Sequence, residues 1–129
     1  MPITPQELLE HAEVLHNNST SEADYRTTIS KSYYAMYHSV LAILDNEPPA
    51  VSGQGVHASL ISYLDSQDAK DCEQHDPKVL KSLSYILAQY KSKRVLADYK
   101  LRELVSEAHA IETLNAAKNL KAKCDALIA

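Results

Sequence analysis

The chain has 129 residues, with eight Tyr, no Phe or Trp, two Gly and a formal net charge of −4. That length makes one domain around a single core, residues 1–129. So little glycine argues against a hairpin-rich β fold and for helices with short connections, and the net acidity argues against general, charge-driven nucleic-acid binding.

The first element in chain order is a helix opened by Thr4-Pro5-Gln6-Glu7, a capping box with proline at the first helical position. Leu8, Leu9, Ala12 and Leu15 give it an apolar stripe, and Asn17-Asn18-Ser19 ends it. A long second helix is expected from about Ser21 to about Leu44, with Glu22 and Asp24 favourable to its N-terminal dipole and Asp45-Asn46-Glu47-Pro48-Pro49 stopping it. A loop to Gly55 leads into a shorter third helix over His57–Leu64, then a polar stretch from Asp65 to His75. Asp76-Pro77 caps a fourth helix reaching about Tyr99. The pattern weakens from Lys100 to Val105, and Ser106 is positioned to cap a last helix through Ala110, Leu114, Ala117, Leu120 and Leu127. The expected fold is all-α, an up-and-down bundle of four to five helices with antiparallel neighbours.

Cys72 and Cys124 form no Cys-x-x-Cys, and no histidine pair has metal-ligand spacing, so they read as reduced thiols with no metal or cofactor. The segment Met1-Pro2-Ile3-Thr4 lacks the basic start and apolar run of a signal peptide, and no stretch approaches about 18 apolar residues. A soluble, cytoplasmic protein without a membrane span is expected.

The second helix places Arg26, Ser30, Tyr33, Tyr37 and Leu44 near one line, flanked by Ile29, Met36 and Val40. That face begins with a charge and a hydroxyl and becomes apolar. Tyr34 and His38 stack at i and i+4 well round the helix, facing solvent or a partner. In the fourth helix Val79, Leu80, Leu83, Leu87, Tyr90, Ala97 and Leu101 define an apolar face with Arg94 near its middle and Asp98 one turn on. An arginine on such a face needs a partner, so Arg94 either forms an internal ion pair with Asp98 or, held by Asp98, presents charge to a phosphate. Lys91, Lys93, Arg94, Lys100 and Arg102 against Asp98 give this stretch +4 and leave −8 elsewhere. With Tyr90 and Tyr99 inside it, the stretch suits a phosphate or an RNA strand as well as a solvated helix face. His11, His16 and His75 read as surface residues.

Three segments together carry a family resemblance. Ser30-x-x-Tyr33-Tyr34-Ala35-Met36-Tyr37-His38, His57 opening the third helix, and Arg94-Val-Leu-Ala97-Asp98-Tyr99 occur in that order, and the chain resembles the HEPN superfamily of helical domains, its small stand-alone prokaryotic members above all. The resemblance implies a helical bundle that works as a homodimer. It also implies, in many members, a metal-independent endoribonuclease of toxin–antitoxin or phage-defence type, sometimes paired with a nucleotidyltransferase antitoxin. The family's active site is an Arg-x(4–6)-His motif, its histidine moving protons for attack by the ribose 2′-hydroxyl and its arginine stabilising charge on the phosphate. Here Asp98-Tyr99 stands where the histidine after Arg94 would fall, and a tyrosine of ordinary pKa is a poor base at neutral pH.

The literal Arg-x6-His match is Arg102 to His109, which share a face only if one helix carries both. His38 is the alternative base, or else a surface or interface residue. The candidate catalytic set is therefore Arg102, His109, Arg94 and His38, and the candidate ligand-binding set Arg26, Ser30, Tyr34, Asp98 and Tyr99. Tyr99 is either an acceptor for adenylylation by a partner transferase or a buried donor to a neighbouring helix. The alternative to a ribonuclease is a non-catalytic HEPN module that binds a nucleotide or RNA, or docks on a nucleotidyltransferase.

Overall fold

The computed structural model of the chain describes residues 3–129; Met1 and Pro2, read above with the N-terminal segment, lie outside the described residues. Six helices make up the regular structure: α1 (Pro5–Asn17), α2 (Glu22–Leu41), α3 (Val56–Leu64), α4 (Gln67–Cys72), α5 (Pro77–Tyr99) and α6 (Glu107–Leu127). Most begin where a short polar side chain accepts one of the N–H groups that a first helical turn leaves without a partner. Thr4 accepts from the Glu7 N–H, Ser21 from Asp24, Ser66 from Ala69 and Asp76 from Lys78. At α6 the cap is reciprocal. Ser106 Oγ accepts from the His109 N–H at 3.3 Å while the Ser106 N–H donates to His109 Nδ1 at 3.1 Å, histidine standing where a capping box carries Glu or Gln.

The chain is all-helical among the described residues, with α2 at its centre. It packs on α1, α5 and α6, while α3 packs on α5 and α1 also touches α6. This position explains one departure from the sequence pattern. The buried face of α2 is Thr28, Ile29, Ser32, Tyr33, Ala35, Met36, Ser39 and Val40, rotated from the line through Arg26, Ser30 and Tyr37. A helix with neighbours on three sides buries small polar residues along with apolar ones; Thr28 bonds back to the Asp24 carbonyl and Ser39 to the Ala35 carbonyl, while Ser32 Oγ has no partner among the described residues.

Three other differences are local. The helix α2 ends at Leu41, short of Leu44, and the polar stretch after α3 contains α4. His75 is a buried residue, not a surface one, because its Nε2 bonds the Ile43 carbonyl at 2.8 Å. Leu101 lies beyond the end of α5 and is 75% exposed. Close to His75, the buried Glu73 carboxylate accepts from Tyr63 Oη at 2.6 Å, from the Asp45 N–H at 2.7 Å and from Asn46 Nδ2 at 2.9 Å. A carboxylate out of water needs such partners, and these tie the α2–α3 loop to the segment before α5. No helix among the described residues is long and apolar enough to cross a membrane.

The apolar interior forms two clusters. The larger includes Tyr33, Met36, Leu60, Leu83, Leu87 and Leu114; the smaller includes Ile29, Ala97, Val105 and Ala110. Arg26 fastens the smaller end. Its Nη1 donates to the carbonyls of Leu96 (3.2 Å), Ala97 (3.0 Å) and Lys100 (3.3 Å), and its Nη2 donates to Glu22 Oε1 (3.0 Å) and to the Glu103 carbonyl. Those acceptors are carbonyls of the last turn of α5 and the turn after it, two of which (Leu96 and Lys100) also accept a backbone N–H, and a cation there complements the helix dipole. Glu22 Oε1 in turn accepts from the Val105 N–H at 2.9 Å. That N–H first, and Arg26 second, hold the Glu22 carboxyl below the usual range. A lowered carboxyl stabilises the fold above its ordinary titration range, and the contribution is lost as pH falls through the lowered value. Arg26→Met is expected to lower the unfolding free energy by about 2–3 kcal/mol in urea, read by circular dichroism. A loss under about 0.5 kcal/mol, the size typical of a neutral surface change, would contradict this role.

Candidate functional site

The helices α2 and α5 run past one another in opposite senses. Arg26 meets Lys100, Ser30 meets Asp98, and Tyr33 lies beside Arg94. Ser30, Tyr33 and Tyr34 share the side of α2 turned to a cleft, His57 enters it from the second position of α3, and Arg94 enters from α5. The cleft measures about 370 Å³ and is lined by Ser30, Lys31, Tyr33, Tyr34, His57 and Arg94.

Arg94 is held on two sides. Its Nη1 donates to Asp98 Oδ2 at 3.4 Å, and its guanidinium carbon sits 5.6 Å from the centre of the Tyr33 ring, within cation–π range. Ser30 Oγ donates to the same Asp98 oxygen at 3.3 Å, steadying the carboxylate from the opposite helix. The guanidinium carries five N–H donors in a rigid fork, and Asp98 takes one. The other donors have no protein partner among the described residues, and neither Nε nor Nη2 is buried away from solvent. The Arg94 side chain is nonetheless only 18% exposed, beside 11% for Arg26. Two arginines of similar burial thus have opposite arrangements: both Nη groups of Arg26 are taken by backbone carbonyls and Glu22, and Arg94 faces a cleft with donors to offer.

Tyr33 is buried, and burial pushes its hydroxyl up to about 12 against the opposing pull of Arg94, so it stays protonated. Its Oη lies 3.2 Å from His57 Nδ1. With the phenol as donor in this contact, a neutral His57 carries its own proton on Nε2; with Nδ1–H as donor, Nε2 is the free acceptor. Burial first, then the charges of Arg94 and Lys91 and the proximity of His38, lower the His57 pKa. At neutral pH the ring is therefore uncharged.

His38 belongs to an aromatic row beside the cleft. Its ring meets Tyr34 edge-on at 4.4 Å and Tyr37 at 5.1 Å, and Tyr37 in turn lies 4.3 Å from His57. Burial lowers the His38 pKa and raises that of Tyr37. The remaining candidates lie elsewhere. Arg26 is engaged as described. Tyr99 ends α5 and is 71% exposed, which places it outside the cleft and away from any buried contact. Arg102 is exposed on the turn after α5, and His109 sits in the first turn of α6, so the two are on different elements. His109 lines a separate hollow with Ile29, Lys93, Leu104 and Thr113, and its Nδ1 is occupied by the Ser106 N–H.

The basic stretch divides in the same way. Lys93 pairs with Glu112 at 2.8 Å, Arg94 faces the cleft, and Lys100 and Arg102 lie at the α5–α6 turn. Lys31 and the Tyr33–His57 contact were given no site role by residue spacing. Lys31 is one exposed lysine on a long helix, and Tyr33 and His57 are 24 residues apart. Among the described residues no group of three or more His, Cys, Asp and Glu is gathered to hold a metal.

No protein-family model, no curated protein and no solved structure matches the chain.

Two outcomes are expected from this geometry. Arg94→Met is expected to cost about 1 kcal/mol of stability, the scale of a part-exposed ion pair and one ring contact, well below the cost at Arg26. In carbon-detected histidine titrations His57 should titrate below the ordinary value of about 6.5, and Arg94→Gln should raise the midpoint without restoring it, because burial is the larger cause. With its folded value depressed, stability linked to neutral His57 is present above the ordinary value and is lost as pH falls from there through the lowered value. A midpoint at or above the ordinary value would contradict the burial.

Proposed function

We propose that the chain is a HEPN-type helical bundle that binds a phosphate group of a nucleotide or an RNA strand in the cleft between α2, α3 and α5. One observation carries this reading: the Arg94 guanidinium is oriented by Asp98 and Tyr33, yet most of its donors point at no protein acceptor. A planar fork held in place in this way matches the oxygens of a phosphate. Lys31 adds a second positive charge, and the neutral His57 ring adds a polar group that brings no negative charge. The chain is acidic overall, so a local concentration of cations selects an anion at this place without general attraction to nucleic acid. In this reading the protein is a homodimer or docks on a nucleotidyltransferase, and exposed Tyr99, Leu101 and Leu104 around the α5–α6 turn are the contact surface.

Metal-independent RNA cleavage is the reading these residues support less. General-base catalysis needs an unprotonated ring nitrogen turned to the substrate. His109 accepts the Ser106 N–H at Nδ1, which leaves its Nε2 protonated in the neutral ring, and His57 Nδ1 is engaged with Tyr33 Oη.

Fluorescence anisotropy with a labelled single-stranded RNA tests the reading. Arg94→Gln should weaken binding about ten-fold or more, the scale of a lost charged hydrogen bond. Two phosphate contacts, at Arg94 and Lys31, give an expected slope of log affinity against log salt of about −1.4. Affinity unchanged in Arg94→Gln would refute the site. Incubation of the same RNA in EDTA is expected to leave it intact. Fragments with 5′-hydroxyl ends, lost in a folded His57→Ala or His109→Ala variant, would establish the nuclease instead.

A further inference from the structure

On the far side of Tyr34 from the cationic cleft, α1 and α2 enclose a second hollow of about 350 Å³. Its walls are Pro5 and Leu8 of α1, Tyr34, His38 and Leu41 of α2, with Ile3 and Ala42 at the rim. The two spaces differ sharply in chemistry. The cleft has Lys31, Arg94 and three hydroxyl-bearing side chains; the hollow has no acidic or basic side chain except His38, which burial keeps neutral over a wider pH range than usual. Tyr34 is the wall common to both. It is 43% exposed, and its ring is braced by the edge-to-face contact with His38 at 4.4 Å.

A nucleotide is divided in the same way, into a phosphate that takes cations and donors and a flat base that takes apolar and aromatic surface. Each space falls within the usual range for small-ligand sites of about 300–1,000 Å³. Resting on the phosphate reading of the cleft, we infer that the hollow between α1 and α2 is a nucleobase subsite, with Tyr34 and His38 as its stacking wall. The ligand is then an unpaired nucleotide whose base crosses Tyr34 while its phosphate stays at Arg94. A duplex, whose bases are stacked on each other, does not fill the hollow, and a base-free phosphate leaves it empty. Aromatic stacking of this kind tolerates any base, so the subsite selects for single-strandedness more than for sequence.

Calorimetric titration of the intact protein with four probes tests this: the dinucleotide ApA, its base-free dinucleotide analogue, adenosine monophosphate and a short RNA duplex. ApA should bind about ten-fold more tightly than the base-free analogue, in line with base–aromatic stacking, and the duplex more weakly than ApA. Tyr34→Ala should abolish that ten-fold difference, so that ApA and the base-free analogue bind the variant equally. Tyr34→Phe should keep it, because it retains the ring. Adenosine monophosphate equal to ApA would assign the site to a free nucleotide, and a weaker monophosphate to a strand; both uphold the subsite if Tyr34→Ala abolishes the preference for a base.

Equal binding of ApA and the base-free analogue to the wild type overturns the subsite and leaves the phosphate reading standing. Binding of none of the four overturns both. A Tyr34→Ala variant that binds ApA as tightly as wild type overturns the subsite, as does one that becomes monomeric by light scattering where the wild type is dimeric, since the hollow would then hold a second protein chain.

Discussion

The guanidinium of Arg26 at the C-terminus of α5 is the contact on which the rest of the site depends. It bonds the carbonyls of Leu96, Ala97 and Lys100, and it binds Glu22, which receives the first N–H leading into α6. One side chain therefore joins the start of α2, the end of α5 and the approach to α6. Because α2 and α5 run in opposite senses, fixing this end fixes the register of the next turns. Ser30, one turn on, meets Asp98, and Tyr33, two turns on, meets Arg94. A slip of one residue would turn each of these side chains about 100° away from its partner.

The comparison between Arg26 and Arg94 separates structure from candidate function. Both lie on or beside apolar surface and both have a carboxylate four residues away. Backbone carbonyls at a helix end and Glu22 take both Nη groups of the first. The second has a single acceptor at 3.4 Å, a tyrosine ring to one side and an open cleft in front. The protonation states around it follow from the same burial. A protonated Tyr33 and a neutral His57 place hydrogen-bond donors, and no additional negative charge, next to the guanidinium.

Much of the fold was legible because its signals are local. Thr4, Ser21, Asp76 and Ser106 each cap the helix expected of them, since a cap is decided within four residues. The short α4 is not visible in the sequence because its six residues, four of them polar, bury only Ala69 and show no apolar period. The face of α2 was misplaced because Thr28, Ser32 and Ser39 read as polar, whereas a central helix buries small hydroxyls. His75 read as exposed because its acceptor, the Ile43 carbonyl, is 32 residues away and a carbonyl leaves no mark in a sequence. The same reason hid what Arg26 does. Arg94 and Asp98 stood out because i and i+4 are neighbours on any helix, while the meeting of His57 with Tyr33 depends on how α3 returns to α2.

The most direct measurement is a proton–nitrogen spectrum of the guanidinium groups as a short single-stranded RNA is added. The chain has three arginines, so each signal can be assigned by single substitution. The account predicts that the Arg94 signal shifts and sharpens in proportion to bound RNA while that of Arg26 stays fixed throughout. An Arg94 signal that does not move at saturating RNA, or movement at Arg102 alone, would contradict the claim that Arg94 is the phosphate-binding group.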